Sequence, residues 1–521
     1  MKAGIFNDVI GPVMRGPSSS HTAASHRIGT MVRQLCPVEG SSIVVEFDPN
    51  GSLATTYEGH GSAMGLISGI AGRSILDPAI MLFRDLPAIH NFIIEFKISD
   101  YHAPHPNTYK IIVESSGNEK YEIIVISTGG GMIEIISFNG FQVSMRGDCY
   151  ETVACFRSAS IERMNKISEK ISFSHQTDTE VVRGSENHYL LIIKSRHSGK
   201  NIAESLLKHE PDLLWIKHTD PVLPVMPVKG TRMPFGTIEE MLRMAKSENL
   251  DLARMAIKYE SAYSGIDPSD VTSMMHEIVM HVSHSITGGL KDKFYQNRLL
   301  GHQSHLIPEA EKSGKLVSSP LNTIISYVTA IMESKSSMEV IVAAPTAGSC
   351  GAVGGSLFGV AKYLHPGTDE IVNAFLAAGL TGVFIADKCT FAAEEGGCQV
   401  ECGAASAMAA SGLVQLMGGN TEQAVNAASM ALQNCLGMIC DPVADRVEVP
   451  CLGKNILAAS NALNCASMSI AGYDHVIPLS EVIEAMKSVG AELPRTLCCT
   501  GLGGLSLTRT SKKLHERFKK Y

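Results

Sequence analysis

Hydrophobic and polar residues alternate along much of the first 147 positions. A period of two is typical of a β-strand with one buried face. The alternating runs are SIVVEF, NFIIEFKIS, YKIIVES, YEIIVIST and MIEIISFNGFQVSM, and a second short strand is expected at 52–57 after a DPNG turn. Helical spacing at 20–35 and 60–72 interrupts these runs. Together they predict an α+β N-terminal domain over residues 1–147, with a mostly antiparallel sheet and a few helices.

From residue 236 onwards, apolar positions recur every three or four residues, which indicates amphipathic helices. Strand-like runs are almost absent from this half. Residues 236–521 therefore predict an all-α domain, with helices at 237–261 (two), 267–289, 319–334, 351–364, 368–384, 402–417, 421–436, 454–472 and 480–489.

The intervening segment, 148–235, has a weaker pattern. A helix near 158–171 and a strand near 189–195 are predicted, and the four prolines of 221–234 indicate extended chain. We therefore interpret 148–235 as a linker or a small unassigned segment between the two domains.

Composition and charge exclude several classes of protein. With 45% hydrophobic residues the chain can bury a large core, and its net charge of −8 argues against a nucleic-acid partner. The first residues lack the apolar core of a secretory signal, and no stretch of about 20 residues is uniformly apolar, so we expect a cytoplasmic protein without membrane contact. The 47 glycines and single tryptophan favour close helix packing through small residues.

The 13 cysteines are concentrated after residue 349, where ten of them lie. Cys398, Cys440 and Cys451 each adjoin a Gly or Pro break, which favours helix ends or loops facing a shared site. A [4Fe–4S] cluster held by three thiolates would keep one iron open as a Lewis acid. The alternative is that these are ordinary buried cytosolic thiols.

The run GPSSSHT combines four hydroxyls with an imidazole just before a predicted helix: Ser18, Ser19, Ser20, His21 and Thr22. Hydroxyls and free amides at a helix N-terminus suit a carboxylate or phosphate. A plain N-cap within a polar loop is the alternative interpretation.

Small residues cluster again in APTAGSCGAVGG, where Thr346, Ala347 and Gly348 are candidates for binding an anionic substrate through a backbone nest. Close helix packing explains the same pattern. In the sheet-rich half, the GHG and HPNT runs place His60 and Asn107 beside small or polar residues, and we predict that they line a polar amino-acid site, either catalytic or for an effector.

Taken together, GPSSSHT, GHG, HPNT, PTAGSCG, GCQ, CDPVADRVEVPC and PRTLCCTGLGGL resemble the iron–sulfur-dependent L-serine dehydratases over about 1–145 and 236–510. The resemblance implies an N-terminal β domain, a helical catalytic domain and a [4Fe–4S] cluster held by Cys398, Cys440 and Cys451. It implies a homodimer that converts L-serine to pyruvate and ammonia. A hydroxyl of Ser18–Ser20, or His21, is the candidate base.

The sequence departs from the family in two ways. Some relatives cap the open iron with a cysteine at the extreme C-terminus, whereas this chain ends in HERFKKY, and Cys498 and Cys499 are the nearest other thiols. The resemblance makes Cys350, Cys402 and Cys499 non-ligands by default. Residues 148–235 match no part of the family, and the glycine-rich loop of a regulatory amino-acid-binding module is not visible there. Related lyases acting on L-cysteine or L-threonine, a non-enzymatic serine sensor and a structural protein with buried thiols remain alternatives.

Overall fold

In a computed structural model, the chain forms two compact units. The structure describes residues 2–157, 160–175, 177–185, 187–228, 230–291, 298–444, 446 and 448–518. One unit comprises Met1–Ser19 and Val228–Tyr521, and the other comprises Ser20–Pro227. The predicted divisions at 147 and 235 thus differ from the observed ones.

The first residues join the helical unit through a two-stranded antiparallel sheet. Strand β1 (Val13–Arg15) pairs with β12 (Val340–Val342). Gly16 approaches the backbone of this unit so closely that a Cβ there would lie 1.9 Å from the carbonyl oxygen of Lys335. Residues 1–19 therefore pack within the helical unit, although the sheet-rich sequence follows them along the chain.

A six-stranded sheet in the order β3-β2-β4-β5-β6-β7 dominates the first half of the Ser20–Pro227 unit. Only the β2–β3 pair is parallel, which confirms the predicted α+β class with a mostly antiparallel sheet. Alternate strand residues are buried against the first and third helices. The elements are α1 (Ala24–Leu35), β2 (Ser42–Phe47), α2 (Leu53–Thr56), α3 (Ser62–Ile70), α4 (Leu86–Ile89), β3 (Ile93–Ile98), β4 (Thr108–Glu114), β5 (Lys120–Gly129), β6 (Met132–Phe138) and β7 (Phe141–Met145).

The short strand predicted at 52–57 is wrong, because Leu53–Thr56 is a helical turn. Both edges of β2 are occupied, by β3 on one side and β4 on the other, so no edge is left for a hairpin partner. Leu53 is buried from within this turn instead.

Residues 150–219 form a second, four-stranded antiparallel sheet with two helices in the chain order βαββαβ. The strand order is β11-β8-β10-β9. One face of this sheet joins the core of the six-stranded sheet, and the other is covered by the two helices. This segment is therefore a folded layer, not a linker; its elements are β8 (Tyr150–Arg157), α5 (Ile161–His175), β9 (Asp178–Arg183), β10 (His188–Ser195), α6 (Lys200–His209) and β11 (Leu213–Thr219).

Among its described residues, the other unit has helices as its only elements from residue 238 onwards apart from β12, as predicted. One of its helices, Thr368–Ala386, is long and apolar enough to cross a membrane, but 72% of the residues in its apolar window are buried, as in a core helix. The helices are α7 (Ile238–Glu248), α8 (Leu252–Ser264), α9 (Pro268–Gly289), α10 (Leu306–Lys312), α11 (Pro320–Ser336), α12 (Cys350–Leu364), α13 (Thr368–Ala386), α14 (Ala393–Gly396), α15 (Ala404–Leu416), α16 (Thr421–Gln433), α17 (Cys451–Ile470), α18 (Leu479–Glu492) and α19 (Arg509–Phe518).

Candidate active site

The three predicted cysteine ligands lie at the ends of elements in the helical unit, and all three are buried. Cys398 follows α14 and precedes a wide helical turn, Gln399–Gly403. Cys440 follows α16 along the chain and forms an isolated bridge with Cys498. Cys451 is the first residue of α17. The predicted placement at breaks between helices is confirmed.

Cys398 is the thiol best prepared to be a thiolate. Hydrogen bonds from the thiols of Cys402 and Cys440 hold the pKa of the Cys398 thiol well below its usual range, although burial opposes the shift. Lys454 adds to the effect, with its Nζ 3.8 Å from the Cys398 Sγ. The same ammonium donates to the Asp441 carboxylate at 2.7 Å. A deprotonated sulfur is the form that binds a metal.

Asn455 connects Cys451 to the start of α12. Its Nδ2 donates to the carbonyl oxygens of Cys451 (2.9 Å) and Gly348 (2.8 Å). Its Oδ1 accepts the amides of Gly351 (3.1 Å) and Ala352 (3.2 Å). These two first-turn amides are therefore engaged, and an anion bound here would use the preceding loop.

That preceding loop contains the predicted Thr346, Ala347 and Gly348. Thr346 Oγ1 donates to the carboxylate of Glu401 at 2.6 Å. A Cβ at Gly348 would lie 3.0 Å from the same carboxylate. Burial raises the pKa of Glu401 to about 8, and the charge of the Cys398 thiolate acts in the same direction. The Thr346–Gly348 loop therefore contacts the helical turn after Cys398 through the Glu401 carboxylate.

The donor set is compatible with a cubane cluster, although no single-ion site is preformed. Among the described residues, no three His, Cys, Asp or Glu side chains are grouped as ligands of one metal ion. A [4Fe–4S] cluster binds cysteine thiolates. Cys398, Cys440 and Cys451 supply three such sulfurs close together: the first two share a hydrogen bond, and the Cys398 charge acts on the third.

A second polar group lies in the sheet-containing unit and centres on His21. The rings of His21 and His60 meet edge to face, with centroids 4.8 Å apart. Thr22 Oγ1 donates to the His60 carbonyl oxygen at 3.1 Å. Thr56 Oγ1 lies 3.3 Å from His21 Nε2 and donates its own proton to the Ser52 carbonyl oxygen at 2.6 Å. His21 Nε2–H is then the donor to Thr56, which leaves the lone pair of the neutral ring on Nδ1.

Burial is the main cause that lowers the pKa of His21 well below its usual value, and His60 contributes further. The imidazole is consequently neutral at physiological pH and able to accept a proton. Asn107 extends the group, because its Oδ1 accepts the hydroxyl of Ser52. The structure therefore gathers His21, Thr22, His60 and Asn107 into one connected set.

The hydroxyls of GPSSSHT fall on both sides of the division between the units. Ser18 and Ser19 belong to the helical unit, where Ser19 is buried, and Ser20 begins the sheet-containing unit. The Ser20 carbonyl oxygen accepts the hydroxyl of Ser127 at 3.1 Å.

Sequence reasoning missed Glu401, Lys454 and Asn455 as members of the site. All three had a local signal: Glu401 lies three residues after Cys398, and Lys454 and Asn455 lie three and four residues after Cys451. At that spacing side chains share a helix face. The contact of Lys454 with Cys398 spans 56 positions, so the sequence could not indicate that pairing.

One family profile and three known proteins are similar to this chain. The profile of the family described as serine dehydratase alpha chain matches residues 239–506. The probable L-serine dehydratase alpha chain of Bacillus subtilis is 35% identical over 284 residues, which are 54% of this chain and 95% of that protein. The L-serine dehydratase alpha chain of Peptoniphilus asaccharolyticus is 33% identical over 54% of this chain and 98% of its own length. L-serine dehydratase 1 of Escherichia coli is 25% identical over 94% of this chain and 96% of its own length.

Proposed function

This chain belongs to the serine dehydratase alpha-chain family, whose members are lyases, and we propose that it deaminates L-serine to pyruvate and ammonia with a [4Fe–4S] cluster. Cys398, Cys440 and Cys451 would hold the cluster. The observation that supports this assignment best is the placement of the three thiols: all are buried at breaks between helices of one unit, and the Lys454 ammonium lies 3.8 Å from the Cys398 Sγ.

When bound, the cluster supplies Lewis acidity that makes the serine hydroxyl a better leaving group. Loss of water across the Cα–Cβ bond gives aminoacrylate, which tautomerises to an imine. Hydrolysis of the imine returns the water and releases ammonia and pyruvate, so the net reaction consumes only serine and involves no change in oxidation state.

The residues of this chain have two further roles in the proposal. His21, whose imidazole is neutral, is one candidate base for the α-proton. The hydroxyls of Ser18, Ser19 and Ser20 remain the other candidates. We assign the substrate carboxylate to the Thr346–Gly348 loop, which precedes the two amides already bound by Asn455. His60 and Asn107 complete the polar surroundings of His21.

The cluster assignment is tested by Cys398→Ala in protein reconstituted anaerobically with iron and sulfide. We expect wild type to bind about four irons and four sulfides per chain and to form pyruvate from L-serine without pyridoxal phosphate. Cys398→Ala should lose the cluster absorption and the activity. Cys465→Ala is the matched control, since Cys465 is equally buried on α17 and contacts Asn434 and Asn461 instead. A Cys398→Ala protein that retains wild-type iron would refute the ligand assignment.

The same preparation distinguishes the alternatives. Faster turnover of L-cysteine or L-threonine than of L-serine would identify a related iron–sulfur lyase. A colourless, iron-free protein that still binds L-serine would identify a sensor.

Location and assembly are part of the proposal. All 13 cysteines are free thiols, which supports a reducing compartment such as the cytoplasm. A homodimer is proposed from the family resemblance.

A further inference from the structure

Lys335 lies in the last turn of α11, in the interior of the helical unit. Its side chain has no exposed surface, and among the described lysines it is the only one that is fully buried. Burial removes the hydration of an ammonium group, so buried charges are found where other groups stabilise them. We therefore ask which groups surround this charge and what it does for them.

The main chain at Lys335 is fixed by close packing. A Cβ at Gly16 would lie 1.9 Å from the Lys335 carbonyl oxygen and 2.9 Å from its Cα. Three residues earlier on α11, the sulfur of Met332 lies 3.9 Å from that of Cys350, the first residue of α12. Rotation of the end of α11 would disrupt both contacts, so the direction of the Lys335 side chain is well defined.

The positive charge of Lys335 acts on three groups around the cysteine site. Burial raises the pKa of the Cys451 thiol, at the start of α17, to about 12, and the Lys335 charge opposes this shift. It opposes the effect of burial on the pKa of the Cys350 thiol in the same way. Burial and the Cys398 thiolate raise the pKa of Glu401 to about 8, and Lys335 again acts in the opposite direction. The ammonium is therefore close to the starts of both helices and to the turn that contains Glu401.

This position is beside the Thr346–Gly348 loop, the proposed place of the substrate carboxylate. Glu401 accepts the hydroxyl at the start of the loop at 2.6 Å, and α12 begins two residues after its end. The other lysine of the site, Lys454, donates to the Asp441 carboxylate at 2.7 Å. Lys335 is therefore the lysine that places positive charge next to the loop.

We propose that the Lys335 ammonium binds the substrate carboxylate at the Thr346–Gly348 loop and makes the site selective for amino acids with a free carboxylate, a role that rests on the proposed function. A contact between an ammonium and a carboxylate is a charge-assisted hydrogen bond, roughly twice as strong as a neutral one. A site built around such a contact discriminates strongly against an analogue that lacks the group. L-Serinamide, in which a neutral amide replaces the carboxylate, is such an analogue.

A purely structural role is the alternative, because a lysine in the last turn of a helix interacts favourably with the helix dipole. Lys362 provides the matched control for that role, since it lies in the last turn of α12 and is exposed. Methionine is unbranched and fills irregular buried space, so Lys335→Met removes the charge and keeps most of the volume.

The experiment compares L-serine with L-serinamide in cluster-loaded protein. For wild type, we expect the inhibition constant of L-serinamide against L-serine to exceed the KM for L-serine by about 100-fold. Lys335→Met should raise the KM for L-serine by about 100-fold, the expected cost of removing one partner of a buried charge pair. Its kcat and its inhibition constant for L-serinamide should stay close to the wild-type values. Lys362→Met should match wild type in every constant.

The wild-type comparison tests the proposal without any variant, because equal binding of L-serinamide and L-serine would overturn it. In Lys335→Met protein with full iron content, equal weakening of both ligands, or a loss confined to kcat, would show a structural role and overturn it as well. Loss of the cluster from Lys335→Met would show that the charge stabilises the thiolates instead, which also contradicts the proposal. Wild-type protein that loads the cluster but forms no pyruvate from L-serine would contradict the proposed function itself.

Discussion

At the scale of single residues, Asn455 shows how one side chain positions the chemistry. Its amide satisfies two carbonyl oxygens and two amides at the junction of α12 and α17, and it is completely buried. A buried polar group without a partner costs about 1–3 kcal/mol. The placement of Cys451 relative to Gly348 therefore depends on this contact.

We predict that Asn455→Ala lowers the free energy of unfolding by at least about 3 kcal/mol, because several main-chain groups lose their partner at once. Urea denaturation of cluster-free protein measures the change. Asn420→Ala is the control: Asn420 caps α16, where removal of one cap bond costs about 1 kcal/mol. A loss of equal size in both variants would show that the Asn455 bonds do not act together.

At the scale of elements, glycines set the distance between helices. Gly351, Gly355 and Gly359 recur every four residues on the side of α12 that faces α11. A Cβ at Gly355 would lie 2.4 Å from the Val328 side chain and 2.8 Å from its main-chain nitrogen. The close helix packing predicted from composition is confirmed here, and it supports the helix that begins at Cys350.

We predict that Gly355→Ala destabilises the protein by about 1–3 kcal/mol, because the backbone of α11 must move away from α12. Gly453→Ala should instead stabilise it by up to about 1 kcal/mol, since alanine is the better helix former. Gly453 lies within α17 and its Cβ would meet nothing within 4 Å. Thermal unfolding of the two variants measures the difference, and a stabilising Gly355→Ala would show that the helices separate freely.

The elements that sequence alone could predict are those with a local period. The alternation in YEIIVIST predicts β5, and helical spacing predicts α9, but the βαββαβ layer was only partly visible. Its central strand YETVACFR is buried on both faces and so does not alternate. In the site, the cysteine motifs could be recognised in the sequence, whereas the contacts of Lys454 with Cys398 and of Asn455 with Gly348 join positions distant in sequence.

At the scale of the whole molecule, the N-terminal segment contributes to the helical unit through Glu260 on α8. The buried carboxylate accepts the Ile5 amide at 2.7 Å and the Phe6 amide as well. Burial raises the pKa of Glu260 to about 8, despite these donors. Its pKa in an unfolded chain is about 4.3.

Because the folded protein binds the proton of Glu260 more tightly, we predict that this group's stabilising contribution is complete below about pH 4.3 and is lost as pH rises toward 8. The slope is at most about 1.4 kcal/mol per pH unit. Glu260→Gln should flatten the pH dependence of the unfolding free energy over this range. Glu248→Gln, at an exposed ion pair with Lys258, should not. Parallel curves for Glu260→Gln and wild type would contradict the assignment.

The pairing of β1 with β12 also determines the order of events during synthesis. Arg15 pairs with Val340, 325 positions later in the chain. At ribosomal speeds of about 5–20 residues per second, the first strand waits roughly 16–65 s for its partner to be made. The whole Ser20–Pro227 unit emerges in that interval and can fold as an insertion. Strand β1 therefore stays without its sheet partner until most of the described chain has been made.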